Sequence, residues 1–443
     1  MTFHPKEPPG SLNRRDFLLR AAGAATVMSG AGGLLAACSS STEVAQETST
    51  TGELLGPGGL PLARPDKRVT LPLYEDPIES GLEPETGGTF TVFNYPDYFY
   101  KKLLKDFGEK YGVDVQYTAF DNISSGIKRL ASGAVQPDVM EMTPDNLDLA
   151  VAGKLIKPLN LDYIPNLAKN VWPELVSPFY DGESHYTVPY TCYATGIAWR
   201  NDMVSEDIAA MPQPWDVFWQ SSAYKGKVAL LSEVRETIAM ALLRKGHTDI
   251  NTEDPKLINR AVDDLKQLYG ICNIKLDDSQ FQTVSEDHSW LHQAWAGDLI
   301  AGFVYYLPAN QHPSVMAYWK APIGHVPVKN DCFSICATTK KPVLSHLFLN
   351  YLLENGVSMS NFIDFNGYQP PLNIIEPDTL IEKLVQSRNA SWGTKLTAAD
   401  AQTLQTAILR KEDFGPKSIQ ELTLTNSGQA LWTNGYSEFN TGA

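Results

Sequence analysis

The stretch His185-Tyr-Thr-Val-Pro-Tyr-Thr-Cys-Tyr-Ala-Thr-Gly-Ile-Ala-Trp199 divides the chain. Val188 and the run Ile197-Ala198-Trp199 read as strand, while Pro189, Ala194, Thr195 and Gly196 interrupt the pattern with residues that let a backbone bend or pass close to another. The stretch therefore reads as a crossing between two lobes. Tyr186, Tyr190 and Tyr193 would then stand where the lobes face each other, the place where hinge-closing proteins hold a ligand. An ordinary sheet strand with its tyrosines packed in a core satisfies the same residues.

The chain before this stretch alternates strand and helix. Thr89–Asn94 reads as a strand, and Tyr100, Leu103, Leu104, Phe107 and Tyr111 fall on one helical face that ends at Gly112. Val113, Val115 and Tyr117 alternate as a second strand, a helix runs to about Gly133, Asp138–Met142 is a third strand and Asp145–Gly153 a further helix. Such βα units build a mostly parallel sheet with ligands at the carboxyl ends of its strands. That rule points to Asn94–Tyr98 and to Met142–Asp145. Beyond the crossing, Lys227–Leu231 reads as a strand, and Ser232 opens a helix whose buried face holds Ala239, Leu242 and Leu243. Asp254-Pro255 starts another helix, with Leu257, Ala261, Leu265 and Leu268 at helical spacing. Leu299–Tyr305 is expected as a short apolar strand carrying the chain back to the first lobe, Pro342–Gly356 as a helix there, and 357–443 as a return to the second. No internal repeat is found.

A chain of 443 residues, 43% hydrophobic and 10% aromatic, is too long for one core, so two lobes are expected. Its formal charge of −15 argues against nucleic acid and for a cationic ligand. Residues 1–37 carry Lys6, Arg14, Arg15 and Arg20 against Glu7 and Asp16, so the remainder is more acidic still. Within them, Asn13-Arg14-Arg15-Asp16-Phe17-Leu18 has the form of a twin-arginine export signal, and an Ala/Gly-rich stretch follows that is too short to span a bilayer. Leu35-Ala-Ala-Cys38 has the form of a lipoprotein processing site, which makes Cys38 the expected lipidation site and the membrane anchor. Residues 38–88, rich in Ser, Thr, Gly and Pro and without sustained periodicity, read as a flexible tether, with Val69–Leu73 able to rest on the body.

Glu233 and Glu236, three apart at a helix start, can face one side. Acids in a first turn also complement the helix dipole and need do nothing else, and Arg235 can pair with one of them. His288 and His292 share a helical spacing but lack a third ligand, so no metal is expected. With Cys38 lipidated, Cys192, Cys272, Cys332 and Cys336 allow three disulfide pairings; Cys332 and Cys336 can bridge locally or be two core thiols. No nucleophile motif, P-loop or dinucleotide fingerprint is present, so neither catalysis nor a cofactor is expected.

Several short stretches, in order and spacing across residues 89–375, resemble the polyamine (spermidine/putrescine) substrate-binding proteins of ABC importers. They are Phe93–Tyr98, Asp138–Met140, Tyr186–Tyr190, Ala194–Ile197, Tyr224–Gly226, Leu231–Glu236 with Met240–Leu242, and Gly367–Pro371. The resemblance implies an α/β chain with the two-lobed type II periplasmic-binding-protein fold and hinge-crossing strands. Lobe 1 would be 89–193 and 303–355, and lobe 2 would be 194–302 and 356–443. It implies an extracytoplasmic lipoprotein, monomeric, that captures a cationic amine and delivers it to an ABC permease and its ATPase. A polyamine needs carboxylates at its amines and aromatic faces along its methylenes. The resemblance assigns Glu233 and Glu236 as the carboxylate pair. Tyr95 and Tyr98 match an aromatic pair whose first member is generally Trp. Thr143 matches a polar position, Asp145 stands where the family often has Tyr, and Tyr193, Tyr368 and Gln369 complete the set. Tyr305 falls at an aromatic position, and Leu307 replaces an acid expected two residues on, which removes a distal carboxylate. A sugar or other neutral solute on the same fold, or a non-transport extracytoplasmic protein, are the alternative readings.

Overall fold

The computed structural model describes residues 53–308, 310–375, 379–382, 398–415 and 417–441. The export signal and Cys38 lie outside them. The first strand, β1 (Thr89–Asn94), pairs in parallel with β2 (Asp114–Ala119) and β3 (Val139–Met142), as the alternating units require. Their connections are the helices Lys101–Tyr111 and Ile123–Ala131. The first buries Leu103, Leu104 and Phe107 and stops at Gly112, whose left-handed φ of 68° lets its N–H return to the Gly108 carbonyl. The second begins where the Asn122 side chain accepts the Ser125 N–H. After β3 come the helix Pro144–Ala152 and the short β4 (Ile156–Lys157).

All thirteen residues of β5 (Val188–Arg200) are buried. The strand order is β2-β1-β3-β10-β5-β8-β6-β7, where β6 is Val228–Leu230, β7 Lys275–Leu276, β8 Leu291–Trp295 and β10 Val328–Cys336. The remaining strand, β9 (Met316–Trp319), pairs with β5 off this path. Val188–Ala194 of β5 lie antiparallel to β10, and Thr195–Trp199 lie antiparallel to β8. One strand thus serves two sets of partners, which is why its residues run apolar or small without alternation. At Gly196 a Cβ would sit 2.1 Å from the Trp319 carbonyl oxygen, so only glycine admits that neighbour.

Two of the three buried clusters among the described residues take in residues of this strand. Phe90, Phe107, Val188, Phe333 and Phe348 belong to one; Ile197, Phe218, Leu230, Ile238, Leu265, Leu291, Trp432 and Phe439 belong to the other. Each fully buried large apolar side chain contributes about 1.5–3 kcal/mol. The helices Val234–Arg244, Pro255–Cys272 and Asn426–Thr441 pack in the second core, and Asp254 caps the middle one by accepting the Lys256 N–H. Cys192, Cys272, Cys332 and Cys336 are buried thiols without a disulfide.

Three expectations need correcting. Leu299–Tyr305 is not a strand: the helix Ala296–Ala301 runs into a wide turn at Gly302–Tyr306. A short apolar run cannot tell a strand from a buried helix, and here β8 already fills the place beside β5. The helix expected over Pro342–Gly356 stops at Leu352, and a second helix, Asn355–Asn361, follows. The stretch read as a tether is buried at Gly56, Leu62 and Ala63 as well as at Val69 and Leu71, in the run expected to rest on the body. Leu71 is fully buried, Tyr74 stacks 6.2 Å from Tyr186, and the Tyr186 hydroxyl donates to the Pro72 carbonyl at 2.7 Å. The Glu85 carboxylate accepts the Val343 and Leu344 N–H groups at the start of Pro342–Leu352. Isolated apolar residues without a period leave no pattern, yet an edge can bury them one at a time.

Candidate functional site

The register between β5 and β10 builds the site. Thr191 faces Asp331 and Tyr193 faces Lys329, and Thr195 faces Trp295 on β8. Alternate residues of a strand share a face, so Thr191, Tyr193, Thr195, Lys329, Asp331 and Trp295 form one polar and aromatic patch on an otherwise apolar sheet. The carboxyl ends of β1, β3 and β6 bring Tyr95 and Tyr98, Thr143 and Asp145, and Glu233 and Glu236 to the same region. Thr143, Asp145, Lys329, Asp331 and Glu421 line one small pocket.

Asp331 holds the tyrosines. Its carboxylate accepts the Tyr98 hydroxyl at 2.5 Å, the Tyr193 hydroxyl at 3.0 Å and the Thr191 hydroxyl at 3.3 Å. Burial pushes this carboxyl up to about 6 although the hydroxyl donors oppose the rise. The rings pack edge to face: Tyr98 lies 4.8 Å from Tyr368, Tyr193 lies 5.1 Å from Tyr368, and Tyr95 lies 6.1 Å from Tyr98. Tyr368 is fixed by donating to Asp298 at 2.7 Å. Opposite Phe333 on β10 stands Glu141, fully buried, with no hydrogen-bond partner on either oxygen. Burial, with Asp331 and Asp145 nearby, raises its carboxyl far above the usual carboxylate range.

Glu236 is the second anchor. Its Oε1 accepts the Thr195 hydroxyl at 2.9 Å and the Trp295 indole N–H at 2.7 Å, and the Lys329 Nζ lies 3.0 Å away. The same ammonium lies 2.8 Å from Glu421. Burial pushes Glu421 up to about 7, with Lys329 pulling it back. Glu233 occupies the N-cap of Val234–Arg244, half-buried, pushed up to about 8 by burial and then by Asp278. Arg235 pairs with neither acid of the pair. It turns to the Leu422 and Ile250 carbonyls and to Asn251, with its guanidinium 4.5 Å from the Trp432 ring centre.

Of the residues singled out in the sequence, Tyr95, Tyr98, Thr143, Asp145, Tyr193, Glu233, Glu236 and Tyr368 come together. Gln369 does not join them: its amide exchanges both hydrogen bonds with the Leu409 backbone, each at 2.9 Å, and so ties down the C-terminal segment. Tyr186 turns away from the site to Pro72. The side chain of Tyr305 lies outside the described residues. Leu307 is buried among apolar neighbours, and the acid that the sheet places beside Tyr98 and Tyr193 is Asp331. Lys329, Asp331, Glu421, Trp295 and Glu141 were missed. Lys329-Asn330-Asp331 did leave a signal, three polar residues at the start of a strand that continues Cys-Phe-Ser-Ile-Cys. Glu421 left none.

Residues 102–385 match the family model described as bacterial extracellular solute-binding protein. The spermidine/putrescine-binding periplasmic protein of Escherichia coli K12 is 26% identical over 334 residues, which span 73% of this chain and 91% of that protein. Among solved structures, the spermidine/putrescine ABC transporter substrate-binding protein of Streptococcus pneumoniae superposes with a TM-score of 0.60 at 19% identity, covering 80% of this chain and 99% of the other. A putative spermidine/putrescine ABC transporter protein from Listeria monocytogenes gives 0.63 at 17% identity, covering 80% and 98%. At these identities the structures show the fold: an α/β periplasmic-binding architecture.

Proposed function

The chain belongs to the bacterial extracellular solute-binding protein family, and we propose that its solute is a cationic amine of the polyamine class, handed on to an ABC importer. The observation that carries this reading is the charge balance of the site. Asp331, Glu236, Glu421 and Asp145 converge on a tyrosine-lined region where Lys329 is the basic group within reach of two of them, and Glu233 and Glu141, whose carboxyls burial raises, stand beside them. Such a site favours a cation, and its aromatic rings suit the methylene stems between amines. The relative from Escherichia coli, whose name states that it binds spermidine and putrescine, supports the same class.

A two-lobed motion follows from the crossing strand. Lobe 1 is taken as 89–193 and 303–355 and lobe 2 as 194–302 and 356–443, hinged near Ala194 and Thr195, where β5 changes partners. Ligand held between Asp331 of lobe 1 and the side chains of lobe 2 that face it would favour the closed form. The twin-arginine stretch and Cys38 complete the proposal: export, acylation, and a monomer held at the membrane by its lipid. Calorimetry of the full chain with putrescine, spermidine, a neutral sugar and an amino acid tests the solute class. Saturable binding of amines alone is expected. Binding of the sugar with no response to amines would refute it.

A further inference from the structure

Lys329 carries information about which amine fits. It projects from β10 on the face that holds Asp331, two residues along the strand and therefore roughly 6–7 Å away. Its ammonium lies 3.0 Å from Glu236 and 2.8 Å from Glu421, both almost fully buried, while its own side chain is 18% exposed. Burial alone would lower its pKa, but Glu236, Glu421 and Asp145 together raise it well above the ordinary value, so the group stays charged. Two carboxylates converging on an ammonium at a sheet face is the arrangement expected of an amine subsite. Here the chain fills that subsite with its own side chain.

The other end of the region is not filled in this way. Asp331 takes only hydroxyl donors, and Glu141, buried behind it on the same sheet face, has no partner at all. A buried carboxyl left without a partner is costly, and an incoming ammonium is the group that would relieve it.

We propose that Lys329 is a specificity residue: its ammonium stands where a ligand ammonium would otherwise meet Glu236 and Glu421, so the cleft selects a short diamine over tri- and tetra-amines. The inference rests on the amine reading above. A zwitterionic ligand placing its carboxylate on Lys329 is disfavoured by the same geometry. The ammonium already has two carboxylates, and a third anion would sit against Glu236 and Glu421.

The test is calorimetry of the full chain and of Lys329→Met with putrescine, spermidine and 4-aminobutyrate. Methionine keeps the unbranched apolar stem and removes the charge. The wild type is expected to prefer putrescine over spermidine by on the order of tenfold, the worth of one charge-assisted hydrogen bond, and in Lys329→Met that ratio should fall below one. Because Lys329→Met leaves two buried acids facing each other, Lys329→Met/Glu421→Gln is measured beside it; it retains Glu236 for the ammonium and should show the same reversal. A wild type that prefers spermidine, an unchanged ratio in both variants, or tighter 4-aminobutyrate than putrescine overturns the assignment of Lys329 while amine binding stands. Absence of amine binding in every protein overturns the amine reading itself, and the inference with it.

Discussion

Glu236→Gln keeps the shape of the side chain and removes its charge. On sequence grounds, Glu236 is an acid in a first helical turn, and a dipole partner of that kind contributes only about 0.3–1 kcal/mol. The structure requires more. Thr195, Trp295 and Lys329 all converge on one oxygen of a carboxylate that is 1% exposed. An amide oxygen can still accept from Thr195 and Trp295, at the strength of a neutral acceptor. Lys329 loses one of its two carboxylates and keeps Glu421 at 2.8 Å. Breaking a buried pair outright costs about 3–5 kcal/mol, and the surviving partner reduces this, so a loss of about 2–3 kcal/mol is expected. Urea unfolding without ligand at pH 7 measures it, with an unchanged slope showing that the native state is otherwise intact. A loss under about 0.5 kcal/mol would return Glu236 to the role of an exposed helix-end acid and refute the reasoning.

Asp148 is buried and pushed up to about 7, first by burial, with Thr423 and Arg64 opposing. Its folded pKa lies above its unfolded value, so its contribution is fully present below about pH 4 and is lost as pH rises through 7. Between pH 4 and 8 the wild type should lose up to about 4 kcal/mol relative to Asp148→Asn, and parallel urea midpoints for the two proteins across that range would contradict this. Gly196→Ala places a methyl against the Trp319 carbonyl and should cost about 1–3 kcal/mol, visible as a lower melting temperature; a wild-type melting curve would mean the crossing strand is looser than described. Cys38→Ala should move the protein from the membrane to the soluble fraction on cell fractionation, and persistent membrane association would show that the lipid is not its anchor.

The elements that were legible in the sequence are those whose causes lie within a few residues. The strand Thr89–Asn94, the helix that ends at Gly112 and the Asp254-Pro255 helix start follow from periodicity and capping, and the structure places them there. The small residues Ala194-Thr195-Gly196 likewise marked where the strand changes partners, because a close backbone approach excludes a Cβ wherever it occurs. Tyr95 and Tyr98, Thr143 and Asp145, and Glu233 and Glu236 stand at strand ends and a helix start that the pattern locates, whereas their assignment to a ligand, with that of Tyr193 and Tyr368, comes only from the resemblance. Lys329, Asp331 and Glu421 were not legible, since their roles come from a register between strands more than a hundred residues apart in the chain and from a C-terminal segment that returns to the site. The same holds for Leu62 and Ala63, buried although no periodicity marks them, and for Gln369, whose amide is spent on Leu409. Local sequence sets which residues form a strand or a helix, because those hydrogen bonds close over a few residues. Which side chains then meet depends on contacts between distant segments, and only the assembled sheet brings an ammonium from β10 against a carboxylate from the helix after β6.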